Sequence, residues 1–182
     1  MDVIVKADIV SDVDDNLQIS AGADGLDKQI IKTLVDMSNR GLLVGSDDTQ
    51  VLADGDKTLD YPEGFRSAIN ITLTGDNANY PLIKLAGGHK EYRESIAYGG
   101  GLVSPQYYSE FDDKIYLYGE AGSAYTILIE FRKNHAKDAD NIEFTTEFEN
   151  LMMAGTTYWK ALQLGRGKAI QIWGPTYASE MR

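Results

Sequence analysis

Cysteine is absent from this chain of 182 residues, which excludes a disulfide scaffold and a thiolate zinc site. Histidine is scarce. His89 and His135 are the two, and no HxH or HxxxH spacing brings a pair onto one metal. No apolar run approaches the roughly 20 residues that span a bilayer. The acidic start, Asp2 to Asp8, lacks the basic opening of a signal peptide. The expectation is a soluble protein made in a cytoplasm. Basic residues are few, 17 against 28 acidic ones for a net charge of −11, which disfavours nucleic-acid binding by phosphate neutralisation. There is no G-x-S-x-G elbow and no dinucleotide fingerprint. Gly165-Arg166-Gly167-Lys168 is not a phosphate loop, because Leu162 and Ala169 stand where that loop needs Gly and Ser or Thr. Asp12 to Asn16 has a faint calcium-loop spacing. It fails because Leu17 replaces the turn glycine and Ala23 replaces the bidentate acid.

What is present is ordinary globular material, 43% hydrophobic and 25% charged, pointing to one domain with a real core. A chain of this size hides about 70% of its unfolded surface. The charge is uneven. Residues 1–60 hold 13 acids and 5 bases, whereas Lys160, Arg166, Lys168 and Arg182 face only Glu180 after residue 159. Such imbalance serves solubility, or brings the basic end of one copy to the acidic end of the next or to an acidic partner.

Helical spacing appears four times. Val5, Ile9, Val13 and Leu17 recur every four residues, which predicts a helix over 4–18 with Asp12, Asp14 and Asp15 on its wet side. Leu26, Ile30, Ile31, Leu34 and Met37 make a core stripe over 25–40, capped by Asp24 and stopped at Gly41. Thr146 to Glu149 has capping-box spacing. Phe148, Leu151, Met152, Gly155, Trp159 and Leu162 then form a stripe over 146–164. It should lie on the sheet or against the second helix, with Gly155 allowing close approach. Ile170, Trp173, Tyr177 and Met181 share one face of a last helix that Pro175 should kink. That face docks either on the protein's own core or on a partner, where Trp, Tyr and Met are enriched.

Between the helices, 47–132 reads as β. Asp54-Gly55-Asp56 joins 49–53 to 57–61 as a hairpin. Ile69, Ile71 and Leu73 alternate with polar residues, and Pro81 marks an edge or strand start in 80–85. Gly75 to Asn77 turns, His89 to Ala97 makes one or two helical turns, and Gly99 to Gly101 is a joint. From Pro105 to Lys133 the pattern is clearest. Strands 106–111, 115–118 and 125–131, with turns at Asp112-Asp113-Lys114 and Gly119 to Ser123, read as an antiparallel meander. Six or seven strands result. The fold class is α+β: N- and C-terminal helices packed with a small antiparallel sheet or sandwich, and a kinked or extended C-terminal helical arm. The expected division is one domain over 1–166 and an arm over 167–182.

No catalytic set is evident. Many carboxylates could pair as acid and base, but pairing is geometric. The reading is of a non-enzyme without cofactor or metal. Exposed tyrosines such as Tyr107, Tyr108, Tyr116 and Tyr118 leave a β-rich carbohydrate-binding module as the alternative.

The order of parts carries a resemblance. Two N-terminal helices precede Leu59-Asp60-Tyr61-Pro62-Glu63-Gly64-Phe65, a strand, Pro81-Leu82-Ile83 and Tyr92-Arg93. Then come Pro105-Gln106-Tyr107-Tyr108, Phe111-Asp112-Asp113-Lys114-Ile115-Tyr116-Leu117-Tyr118 and Tyr125 to Phe131, before acidic helical segments with a Trp and a Tyr. From about Asp24 to Met181 the chain resembles the head-to-tail adaptor (head-completion or connector) proteins of short-tailed bacteriophages. Gly119 departs from the pattern, since many members carry proline after the Leu-Tyr pair. The resemblance implies a structural virion protein, made in the host cytoplasm, forming a ring, usually of twelve copies, at the portal vertex. Its implied partners are the portal protein, neighbouring copies and the next tail component (nozzle, hub or fibre). Packaged DNA passes the channel without specific binding, and no membrane is involved. The implied portal-facing segment is 167–182, with Ile170, Trp173, Tyr177 and Met181 as its apolar face and Arg166 and Lys168 beside them.

Overall fold

The helical stripes fold as their periods require. The computed structural model describes residues 2–22, 25–75, 78–97, 104–119, 121 and 123–182. Asp24, Asp76, Asn77, Gly99, Gly100, Gly101, Glu120 and Gly122, each part of an expected cap, turn or joint, lie outside the described residues. Helix α1 (Lys6–Leu17) buries Ile9, Val13 and Leu17. It runs straight through the rejected calcium spacing, and Asp14 instead accepts the Ala21 N–H at 3.0 Å. Helix α2 (Asp27–Asn39) buries Ile30, Leu34 and Met37, and Gly41 follows with φ of 75°, the left-handed stop that glycine adopts without strain.

The C-terminal helices pack back onto these two. A 3₁₀ turn (Thr146–Phe148) leads into α4 (Glu149–Gln163), and α5 (Gly167–Glu180) follows. The capping box does not form. The chain enters through the 3₁₀ turn, and the Thr145 hydroxyl donates to Glu147 Oε1 at 3.0 Å instead of capping an amide. Helix α4 packs on α1, α2 and α5, the second of the two expected positions. Helix α5 runs unbroken with Pro175 inside it.

These helices close their own core with Leu43, Ile142 and Phe144. The polar 134–141 stretch supplies Ala139 and the buried His135 to that unit. His135 Nε2 accepts the Glu143 N–H at 3.1 Å, and its ring stacks parallel to Phe144. Lys6 ties the start of α1 to Asp27 at 2.8 Å and Asp140 at 2.6 Å.

The strands form two four-stranded sheets. One has the order β1 (Val44–Leu52), β8 (Tyr125–Lys133), β3 (Phe65–Gly75), β4 (Ala78–Pro81). The other has β2 (Thr58–Asp60), β7 (Lys114–Tyr118), β6 (Tyr107–Phe111), β5 (Ile83–Lys84). Leu52, Ile71, Leu73, Ile127, Ile129 and Phe131 from the first share one core with Leu59, Tyr108, Ile115 and Leu117 from the second. Alternation therefore buries one face of each sheet against the other. Helix α3 (Gly88–Ala97) lies on β6 and β7.

Several expectations about pairing are corrected. The Asp54-Gly55-Asp56 turn joins strands of different sheets, since β1 pairs with β8 and β2 with β7. The Gly55 N–H goes to the Ala121 carbonyl, outside the turn. The meander keeps only its first hairpin: β6 and β7 pair antiparallel, while β8 crosses to the other sheet and is paired on both edges. Asp112 and Asp113 turn that hairpin with φ of 49° and 59°, the signs a two-residue I′ turn needs. Gly119 has φ of 114°, and a Cβ there would sit 2.6 Å from the Ser104 carbonyl. Proline, fixed near −65°, could not stand in this conformation. Ile69 does not share the buried face of Ile71 and Leu73. A bulge between Ala68 and Asn70 turns it outward, 51% exposed. Pro81 does end the edge strand β4, and β5 pairs parallel to β6.

The chain is thus α+β, and its contacts group into two compact units: Met1–Leu43 with Asn134–Arg182, and Val44–Lys133. Helix α5 makes up most of the 167–182 segment, expected as an arm, and the contacts group that segment with the helical unit.

Candidate partner interface

Helix α5 and its two cap residues, Arg166 and Met181, hold the six residues that the sequence singles out, and the helix splits them. Tyr177 and Met181 are buried in the helical core, and Ile170 and Trp173 are half-buried against it. The apolar stripe therefore faces the protein's own helices, one of the two readings the sequence left open. Gly155 on α4 makes this possible. A Cβ there would lie 2.5 Å from Thr33 Cγ2 and 2.7 Å from Tyr177 Cε2. Only glycine lets α2 and α5 approach α4 this closely. The Tyr177 hydroxyl then donates to Asp36 Oδ2 at 3.2 Å. Burial, followed by the charge of Asp36, pushes the Tyr177 phenol well above its ordinary range, because both oppose a second negative charge.

Arg166 and Lys168 stand at the other end of α5, both exposed. The Arg166 guanidinium donates to the Leu17 carbonyl and so satisfies part of the open C-terminal end of α1. The two residues line a groove of about 460 Å³ with Asn16, Leu17 and Gln18. The first turn of α5 holds no acid, so this end of the helix is electropositive.

The open face of α5 carries Lys168, Gln171, Ile172, Pro175 and Ser179. Ile172 is 61% exposed, and the sequence reading passed over it. A second groove of about 470 Å³ runs along the inner edge of the helix. It is lined by Asp36 and Asn39 from α2, Arg40 just after it, Tyr158 from α4, and Gly174, Tyr177, Ala178 and Met181. A small residue at 174 and polar residues in the last turn of α2 were the available signals for it.

Of the four tyrosines expected to be exposed, Tyr107, Tyr116 and Tyr118 are half-buried. Tyr108 is buried in the core of the sheets. Tyr116 packs against Tyr92 and His89 under α3, and Tyr107 pairs across the hairpin with Tyr118. His89 lies in α3, where one or two helical turns were expected, and stacks on Phe111 at 4.3 Å. Among the described residues no group of three or more His, Asp or Glu could hold a metal ion, and no helix is long and apolar enough to cross a membrane. The chain matches no protein-family model and no curated protein.

Proposed function

We propose that this chain is a structural adaptor of a phage head–tail junction, forming a ring on the portal and carrying the next tail component. The supporting observation is the presence of two separately cored units on one chain. The helical unit is completed only when residues 134–182 return to 1–43, and the β unit of 44–133 is inserted between them. Each unit has its own core and its own exposed grooves. A connector must hold two different neighbours at once, and two units meet that need without either contact disturbing the other. The stretch that carries the resemblance, Pro105 to Phe131, supplies β6, β7 and β8, which are framework elements.

The portal contact is assigned to the open face and basic start of α5, Arg166, Lys168, Gln171 and Ile172, because the stripe of Ile170, Trp173, Tyr177 and Met181 is already used inward. Deleting 167–182 would uncover Gly155 and Thr33, so point changes on the open face are the cleaner perturbation. The test is co-sedimentation with portal-bearing heads. Wild-type chain is expected to bind, and Ile172→Glu with Lys168→Glu to lose binding at least tenfold while keeping its helical circular dichroism. Wild-type chain that fails to bind such particles, or a double variant that binds them as well, would overturn the assignment.

A further inference from the structure

The outer surface of the β unit carries a groove that nothing above uses. Its floor is a ring stack. Phe111 lies on His89 at 4.3 Å with the planes 10° apart, and Tyr92 and Tyr116 close in at 5.3 and 4.6 Å from the same imidazole. His89 Nδ1 also sits 3.4 Å from the Ser109 hydroxyl. Alternation along β6 explains the geometry. Tyr108 points into the shared core, so Ser109 and Phe111 point out toward α3. The groove measures about 480 Å³ and is lined by His89, Lys90, Arg93, Glu94, Ala97 and Phe111. Phe111 remains 52% exposed, although an aromatic ring of this size normally finds cover. Lys90 pairs with Glu94 at 3.9 Å. Arg93 has no ion-pair partner among the described residues, so the wall of this apolar groove offers one unmatched cation.

The same unit presents the complement at another place. Val51, at the end of β1, is 61% exposed. It is followed by the turn Ala53-Asp54-Gly55-Asp56, exposed throughout, and Asp48 is exposed just before it. The turn is stiff: the Ala53 N–H donates to Asp56 Oδ2 at 2.9 Å, and the Asp56 N–H returns to the Ala53 carbonyl. Strand β1 is an edge strand, but a bulge between Asp47 and Gln50 interrupts it. Asp47 takes the Thr49 N–H and hydroxyl there. An edge broken this way does not extend as a ladder into another strand. What such an edge offers a neighbour is side chains.

We infer that a second copy of this chain seats Val51 and the acidic 53–56 turn in the groove between α3 and β6, with Asp54 against Arg93. An apolar side chain enters the groove beside Phe111, and unlike charges meet at its wall. The two patches occupy different parts of one unit, the outer side of β6–β7 and the edge of the other sheet. The contact is therefore head-to-tail and leaves a free groove on one copy and a free turn on the other, which is how rings or filaments grow. The inference rests on the self-assembling adaptor reading for its purpose, but its test needs only the purified chain.

The lack of native cysteine makes that test clean. Ala97→Cys marks the groove, and Ala53→Cys, in a copy carrying a mass tag, marks the turn. After mixing and mild oxidation, a disulfide dimer of tagged with untagged chain is expected, several-fold above either single variant alone. It should equally exceed Ala97→Cys mixed with tagged Ser11→Cys, on α1. Adding Arg93→Glu to the groove copy should lower the mixed dimer several-fold, and Asp54→Lys on the turn copy should restore it. A mixed dimer no more abundant than the α1 control, or one indifferent to Arg93→Glu, would overturn the inference. Portal binding is read separately, so a lost cross-link with intact portal binding sinks this surface alone, and the converse sinks the portal assignment alone.

Discussion

Replacing Gly155 with alanine should unfold the helical unit first. The added methyl would stand 2.5 Å from Thr33 Cγ2, 2.7 Å from Tyr177 Cε2 and 2.9 Å from Thr33 Oγ1. Neither neighbour is free to swing. The Thr33 hydroxyl donates to the Gln29 carbonyl at 3.0 Å, and Tyr177 is held by Asp36. Overpacking of this kind costs about 3 kcal/mol. Alanine returns about 1 kcal/mol through its better helix propensity, so the net loss is about 2 kcal/mol. The helical unit has about 90 residues, for which each kcal/mol shifts Tm by roughly 4–8 °C, so the expected fall is about 8–16 °C. Trp159 and Trp173 are the chain's two tryptophans, and both lie in this unit. Tryptophan emission therefore follows its melting, while Tyr108 and most other tyrosines report the β unit. Trimming the obstacle with Thr33→Ser in the Gly155→Ala background should recover about 1 kcal/mol. Gly167→Ala is the control, because nothing lies within 4 Å of its Cβ position; it should leave Tm unchanged or slightly higher. A Gly155→Ala protein that melts at or above the wild-type temperature would refute the close-approach reasoning.

Three further perturbations probe other joints. Burial pushes the Tyr108 phenol from 10.0 up to about 12; because the folded value is raised, its contribution is complete below about pH 10 and is lost as pH climbs toward 12. Tyrosine-monitored urea melts should show that loss in the β unit, and Tyr108→Phe should flatten it. Lys6→Met should cost about 1 kcal/mol, less at high salt, by removing the bridge to Asp27 and Asp140; a loss independent of salt in tryptophan-monitored melts would mean that packing dominates. The hydrogen bonds of Lys6 to Asp140, then to Asp27, raise its pKa, so its contribution should hold at neutral pH and fade above about pH 10.5. His135→Phe keeps the ring on Phe144 but leaves the Glu143 N–H without that acceptor, and about 1–2 kcal/mol should be lost from the helical unit; an unchanged melt would remove His135 from the bonds that hold 134–145 in place.

Helices were the most legible part because their period is local. Ile9, Val13 and Leu17, or Ile30, Leu34 and Met37, announce a buried face without reference to anything distant. Strand existence was legible for the same reason, but partner choice was not. The Asp54-Gly55 turn looks like a hairpin in any context, yet β1 pairs with β8 and β2 with β7, in different sheets. One extra residue in the bulge at Ala68–Asn70 was enough to turn Ile69 to solvent. The interface suffered from a similar limit. The stripe of Ile170, Trp173, Tyr177 and Met181 marks a covered face but not what covers it. Gly155, correctly read as a close-approach point, was the clue that α4 and α5 cover each other. Ile172, off the stripe and exposed, carried no periodic signal. His89 and Phe111, separated by twenty-one positions, meet only because α3 lies across β6.

The most direct test of the adaptor reading combines the native mass of the chain with imaging of portal-bearing particles to which it has been added. The prediction is a symmetric ring of this chain at a single vertex of each head, with the helical unit turned to the portal. A chain that ignores those particles at all concentrations, or decorates the shell without selecting one vertex, would contradict the reading.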